Sequence, residues 1–179
     1  SRFTRELVGN WAKLPLTLDI VPNAVETQPD VAPRSLPFRH DTFRILAASR
    51  LIPLKRIDGL IRTVARIPKI SLVLVGDGPE EHRLRRLAAD LVVSERIAFM
   101  GPLSHGDTLS AMKAADLFVL NSTVENFPHV ILEAMMIGLP VLATRVGGIP
   151  EIVTSEHNGL LVDPNDADLL AEGITRLMR

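Results

Sequence analysis

From Phe43 to the last residue, short runs of β-branched and other apolar residues alternate with longer amphipathic segments. A chain written this way folds as repeated strand–helix units around a parallel sheet, because each strand must bury its sides and each helix one stripe. The apolar runs are FRILAAS, SLVLVG, RIAFMG, DLFVLNS, PVLATR and NGLLVD, and helical patterns lie around 54–67, 79–91, 108–115, 128–137, 149–153 and 166–178. Six strands and six helices are expected. The runs are apolar at nearly every residue rather than at alternate ones, so both faces of the strands are buried and helices cover the sheet on each side. The expected architecture is a Rossmann-like, doubly wound parallel α/β sheet of about six strands, which takes its ligands at the carboxyl ends of the strands.

The first forty residues read differently. VPNAVETQPDVAPRSLPFRHD carries Pro22, Pro29, Pro33 and Pro37 with no apolar periodicity, which is linker chemistry. Ahead of it LTLDIVPNA reads as one more strand and turn, separated from any sheet, as in a piece of something longer. With 20 basic against 21 acidic residues the chain lacks the basic excess of a nucleic-acid binder. No stretch approaches the roughly 18 to 20 apolar residues of a membrane span, and the first twenty lack the apolar run of a signal peptide. A cytoplasmic location is the default. The absence of cysteine removes disulfides and thiolate metal sites and leaves the redox compartment open.

Chemistry concentrates in ENFPHVILEAMMIGLP, residues 125–140. Pro128 is expected at the first helical position, where its missing N–H is no loss. Glu125 then precedes the helix and Glu133 lies inside it. The unpaired N–H groups of the first turn and the helix dipole form an anion site suited to phosphate. Glu133 is the only formally charged residue from Asn126 through Thr144, and burying it unpaired would cost about several kcal/mol. It needs a hydrogen-bond donor. A sugar hydroxyl would serve; the alternatives are a place on the wet edge of the helix or a pairing with Arg145. In SRLIPLKR, Arg50 ends the first strand and Lys55 and Arg56 occupy the following turn. This cluster is either a solvated loop or the cations of a diphosphate site. GDGP at 76–79 has neither the spacing nor the lysine of a Walker loop and reads as a turn lining the cleft. Glu151, in VGGIPE, reads as a capping carboxylate near a helix start. His40, His82, His105, His129 and His157 show no metal-ligand spacing, and only His129 lies beside the phosphate candidate.

The succession of ASRLIPLK, LVLVGDGPE, IAFMGPL, AADLFVLNSTVENFPHVILEAMMIGLPVLATRVGGIPEIV and NGLLVDP resembles the carboxyl-terminal, donor-binding domain of retaining GT-B glycosyltransferases of the group 1 family, relatives of sucrose synthase and glycogen synthase. The resemblance covers residues 43–179, and rests on E-x7-E combined with R-x4-K and G-D-G-P in this order. DIVPNAVE resembles the segment closing the amino-terminal domain of these enzymes, with Ala24 where glycine is usual. It implies that residues 1–40 are the end of a missing amino-terminal domain plus a proline-containing linker, and 41–179 the nucleotide-sugar donor-binding domain.

Roles are implied residue by residue. Arg50 and Lys55 neutralise the donor diphosphate, with His129 and Val130 beside it at the helix start. Glu133 takes the ribose hydroxyls, Asn126, Phe127 and Pro128 lie at the donor sugar, and Met100 and Gly101 hold the nucleobase. Glu125 is the catalytic carboxylate beside the sugar, acting by positioning and electrostatics rather than as a nucleophile. Asn121 stands where the family commonly has proline, and Asn126 where glycine or serine is frequent, which leaves the sugar open. The implied reaction is retaining, hexosyltransferase-type transfer from a nucleotide diphosphate sugar to an unassigned glycan, lipid or small-molecule acceptor, without metal or cofactor. Peripheral membrane association through the missing domain is compatible with it. The fragment alone is expected to bind donor and turn it over poorly. Two rivals stay open: a sugar-nucleotide epimerase, and a non-catalytic nucleotide-sugar-binding module on the same fold.

Overall fold

The computed structural model describes residues 1–12, 24–25, 31–38 and 41–179. Six strands, β1 (Phe43–Ala48), β2 (Ile70–Val75), β3 (Ile97–Gly101), β4 (Leu117–Leu120), β5 (Val141–Thr144) and β6 (Leu160–Val162), form one sheet in the order β3-β2-β1-β4-β5-β6. Every pairing is parallel. Helices are α1 (Arg2–Ala12), α2 (Ile57–Arg66), α3 (Glu81–Asp90), α4 (His105–Lys113), α5 (His129–Met136) and α6 (Ala167–Leu177). Among the described residues no helix is long and apolar enough to cross a membrane.

Strand parity divides the interior, since successive side chains point to opposite faces. Ile45, Leu72, Leu74, Leu117, Val119 and Leu142 pack with Leu60 and Ile61 of α2, Leu84 of α3 and Ile174 of α6. Their neighbours Leu46, Val73, Phe118, Leu120, Val141 and Ala143 pack with Leu109 and Met112 of α4 and Ile131 of α5. Both faces are thus covered, as continuous apolarity requires. After β3 the chain returns to the other side of β1, so the switch point lies between the carboxyl ends of β1 and β4. At their amino ends, Arg44 Nε and Nη2 donate to Asp116 at 2.9 and 2.7 Å, and the Arg44 N–H donates at 2.7 Å. Burial pushes the Asp116 carboxyl up, but these bonds outweigh it and hold the group below its ordinary value.

Helix boundaries depart from the periodicity. The 54–67 pattern splits into a 3-10 turn, Pro53–Lys55, and α2, because Arg56 between them is left-handed at φ 48°. α4 starts at His105, ahead of the expected residue 108, because the Ser104 hydroxyl accepts from Asp107 N–H at 3.1 Å. Pro128 is not the first helical residue but the extended cap before it, at φ −73° and ψ 113°. The 149–153 pattern yields a single 3-10 turn, Ile149–Glu151, and not an α-helix.

The amino-terminal region contains α1, which the linker reading did not anticipate. Of LTLDIVPNA only Ala24 belongs to the described residues, and Pro22 and Pro29 lie outside them. Pro33 and Pro37 lie in irregular chain that packs along α4, where Arg34 N–H donates to the Ser110 carbonyl at 3.0 Å and Leu36 is buried.

Candidate functional site

The carboxyl end of β1 runs into a loop that the GDGP turn clasps. Leu51 N–H donates to the Asp77 carbonyl at 2.7 Å, and the Leu51 carbonyl accepts from Glu80 N–H at 3.0 Å. Gly76, at φ +116°, lets this turn lie directly on the Ser49 carbonyl, where a Cβ would collide. GDGP is therefore the expected turn beside the strand ends, and it exposes Arg50, whose side chain has no ion-pair partner among the described residues.

The turn carrying Lys55 is pinned to the loop after β4. Thr123 N–H donates to the Leu54 carbonyl at 2.8 Å, and Asn121 Nδ2 donates to the Arg56 carbonyl at 2.9 Å. Asn121 thus has a structural task, which the family comparison with proline did not suggest. So placed, Lys55 Nζ forms an ion pair with Glu125 Oε1, with side chains 19% and 10% exposed. The same oxygen accepts from the Ser122 hydroxyl at 2.6 Å. Ser122 is itself fixed, being fully buried, with its carbonyl accepting from Thr144 Oγ1 at 2.6 Å. Gly147, at φ +54°, lies so close to the Glu125 carbonyl that any Cβ there would overlap it. The loop of Glu125 and Asn126 is wedged between the Lys55 turn and the loop after β5.

α5 then follows its cap residue Pro128, which supplies no side-chain cap to the first-turn N–H groups. His129 and Asn126 are exposed, while Phe127 and Val130 lean on the core beneath. Glu133 is 16% exposed on its side chain and meets His105 Nε2 through Oε1 at 3.1 Å. Arg145, the structural alternative, instead approaches Asp163 at 3.7 Å. Met100 rests on the core, and Gly101, at φ +67°, borders open space at the end of β3. The structure thus joins Lys55 to Glu125, leaves Arg50 without an ion-pair partner among the described residues at the same strand ends, and holds Glu133 from α4.

Two residues escaped the sequence reading. Ser122 shows no pattern beyond lying at a strand end; His105 follows Ser104, whose S-x-x-D spacing to Asp107 marks a helix start. Glu151 does cap, as expected, but it caps α1: its two oxygens accept Arg2 and Phe3 N–H at 2.9 Å each. A cavity of about 620 Å³ lies elsewhere, at the amino ends of β5 and β6 between Met135, Leu139, Leu160 and Leu177. Ligands of doubly wound sheets bind at the opposite ends of the strands.

Strand order 3-2-1-4-5-6, with cations and carboxylates at the switch point, defines a Rossmann-like domain of the kind that forms half of a GT-B enzyme. The chain belongs to the family Glycosyl transferases group 1, whose family model matches residues 30–179. It is 38% identical over 134 residues to the lipopolysaccharide core biosynthesis glycosyltransferase LpsE of Rhizobium meliloti, covering 75% of this chain and 39% of that protein. Sucrose-phosphate synthase from Thermosynechococcus elongatus superimposes with a TM-score of 0.86 at 29% identity, over 99% of this chain and 47% of the other. Anabaena HepE in complex with UDP-glucose gives a TM-score of 0.74 at 33% identity, over 78% and 40%. The chain spans 30% to 40% of the length of the curated relatives it matches.

Proposed function

We propose that the chain is the donor-binding half of a retaining glycosyltransferase that moves a hexose from a nucleotide diphosphate sugar to an acceptor held by a further domain. The observation that carries this reading is the meeting of Lys55, Glu125 and Ser122 at the switch point, directly before the uncapped start of α5. Arg50, Lys55 and the N–H groups of His129 and Val130 receive the diphosphate. Glu133 accepts from the ribose hydroxyls, Met100 and Gly101 border the base, and Asn126 to Pro128 border the sugar.

In transfer the bond from the anomeric carbon to phosphate breaks, the acceptor oxygen bonds to that carbon on the same face, and the acceptor proton passes to the departing phosphate. Glu125 is engaged by an ammonium and a hydroxyl, which blunts it as a nucleophile and suits it to positioning and electrostatic stabilisation. The cations of the site supply the charge that a metal would otherwise bring. HepE's bound UDP-glucose makes UDP-hexoses the first donors to try.

The test is thermal melting and calorimetric titration of the chain with UDP, GDP and ADP, their sugars and the bare nucleosides, with and without EDTA. A ligand at a hundred times its Kd stabilises by about 2.7 kcal/mol. At least one diphosphate is expected to raise the Tm, equally with EDTA present, and its nucleoside to do so far less. No response to any diphosphate sinks the reading; a response abolished by EDTA sinks metal independence.

A further inference from the structure

We infer that His105 is the positioning residue of the nucleoside subsite, holding Glu133 so that the site selects ribose over deoxyribose. This rests on the proposed reading of Glu133 as the ribose carboxylate. His105 Nε2 lies 3.1 Å from Glu133 Oε1, although the two residues belong to different helices, α4 and α5. The carboxylate can only accept, so the imidazole donates through Nε2–H.

Several local bonds make His105 a fixed donor. It is the first residue of α4, and Ser104 before it is held on three sides. The Ser104 hydroxyl donates to Asp107 Oδ2 at 2.7 Å and accepts from Asp107 N–H at 3.1 Å, while its carbonyl accepts from Thr108 Oγ1 at 2.9 Å. The backbone under His105 therefore has little freedom, and the ring reaches Glu133 from the start of α4, four residues after Gly101 ends β3. His105 thereby connects the end of β3, where the base is proposed to sit, to the carboxylate proposed for the ribose.

The consequence for ligand choice follows from counting acceptor sites. An ionised carboxylate offers two oxygens with about four lone-pair directions. His105 occupies one direction on Oε1 and fixes the plane of the group, leaving Oε2 and the remaining Oε1 direction for a vicinal diol. Without His105 the carboxylate must be ordered by the ligand itself, and that ordering comes out of the affinity. Glu133 is 16% exposed while His105 is 54% exposed. Removing the imidazole therefore disturbs little core, and its cost falls on Glu133, which loses this bond while 16% exposed.

The test compares His105→Leu, His105→Gln and Glu133→Gln in the 179-residue chain, by calorimetric titration with UDP and GDP and with their 2′,3′-dideoxy counterparts, alongside Tm. Loss of one such bond is expected to weaken the ribonucleotide by about five- to tenfold. The dideoxy analogue should change by about twofold or less, with the Tm lowered by a few degrees at most. Glutamine at 105 keeps an N–H donor and should recover most of the ribose preference. Equal weakening of ribo and dideoxy ligands in His105→Leu, or no weakening, overturns the inference, as does a large fall in Tm with ligand preference intact. Glu133→Gln separates this from the reading beneath it. If Glu133→Gln erases the ribose preference while His105→Leu does not, only the inference fails. A Glu133→Gln chain that still prefers ribose removes the ribose reading and the inference with it, as does a chain that binds neither diphosphate.

Discussion

Lys55→Met and Arg50→Met remove one cation each from the same strand ends, and the structure predicts unequal consequences for folding. Methionine keeps most of the lysine stem, so packing changes little and the ammonium is the main loss. Exposed ion pairs are worth about 0 to 1 kcal/mol, whereas removing one partner of a fully buried pair costs about 3 to 5 kcal/mol. With side chains 19% and 10% exposed, Lys55 and Glu125 lie between these limits. Glu125 would also keep its 2.6 Å bond from Ser122, so a destabilisation of about 2 kcal/mol is expected. Arg50 is exposed and has no ion-pair partner among the described residues, so its loss should stay within about 0.5 kcal/mol. Both variants should weaken a nucleotide diphosphate by about 1.5 to 3 kcal/mol, the worth of a charge-assisted bond. Urea denaturation reads the first quantity and titration calorimetry the second. Adding Glu125→Gln to Lys55→Met should recover much of the stability, because the unpaired charge is then gone. Equal stability of the two single variants would refute the ion pair. Undiminished diphosphate affinity in Lys55→Met would refute its place at the phosphates.

Two further outcomes are expected. Gly147→Ala puts a Cβ against the Glu125 carbonyl in a left-handed backbone, so it should cost more than the roughly 1 to 2 kcal/mol of the φ angle alone and also weaken donor-sugar binding; a normal melting curve with normal binding would refute the wedge. Asp116 has a folded pKa below its unfolded value, so its stabilisation is complete above the unfolded value, about 3.9, and fades as pH falls through the folded one. Urea denaturation should therefore show Asp116→Asn less stable than the unmutated chain at pH 7, with the gap shrinking below about pH 4, and a gap independent of pH would refute this.

The sheet was legible because β2, β4 and β5 are buried along their whole length, and a strand buried on both faces must be apolar at every residue. Boundaries were less legible where one residue's backbone decides them. Nothing in IPLKRID announces that Arg56 turns left-handed, and proline suits a cap as well as a first turn. α1 stayed hidden because Leu7 and Val8 are exposed, 55% and 37%, and contribute no core stripe to its pattern. The site residues were visible singly as polar interruptions at strand ends. Their partners were not, since Lys55 lies 70 residues from Glu125 and His105 lies 28 from Glu133, and only the strand order brings them together.

That strand order also explains how an apolar helix with a carboxylate before it and another within it can be stable. Glu125 and Glu133 lie at opposite sides of the start of α5, and neither finds a cation on its own helix. Each is served from a different neighbour: Glu125 by the turn after β1, and Glu133 by the helix after β3. Only Glu125 has a lysine; Glu133 has an imidazole and keeps more of its acceptor capacity for other donors. A ligand reaching across the strand ends from β3 to β4 would thus meet one carboxylate already balanced by an ammonium and one still able to accept hydroxyl protons. Under the proposed function a diphosphate would be repelled least beside the first and a ribose diol bound best by the second, so the two carboxylates would order such a ligand along the cleft before any contact from another domain is made.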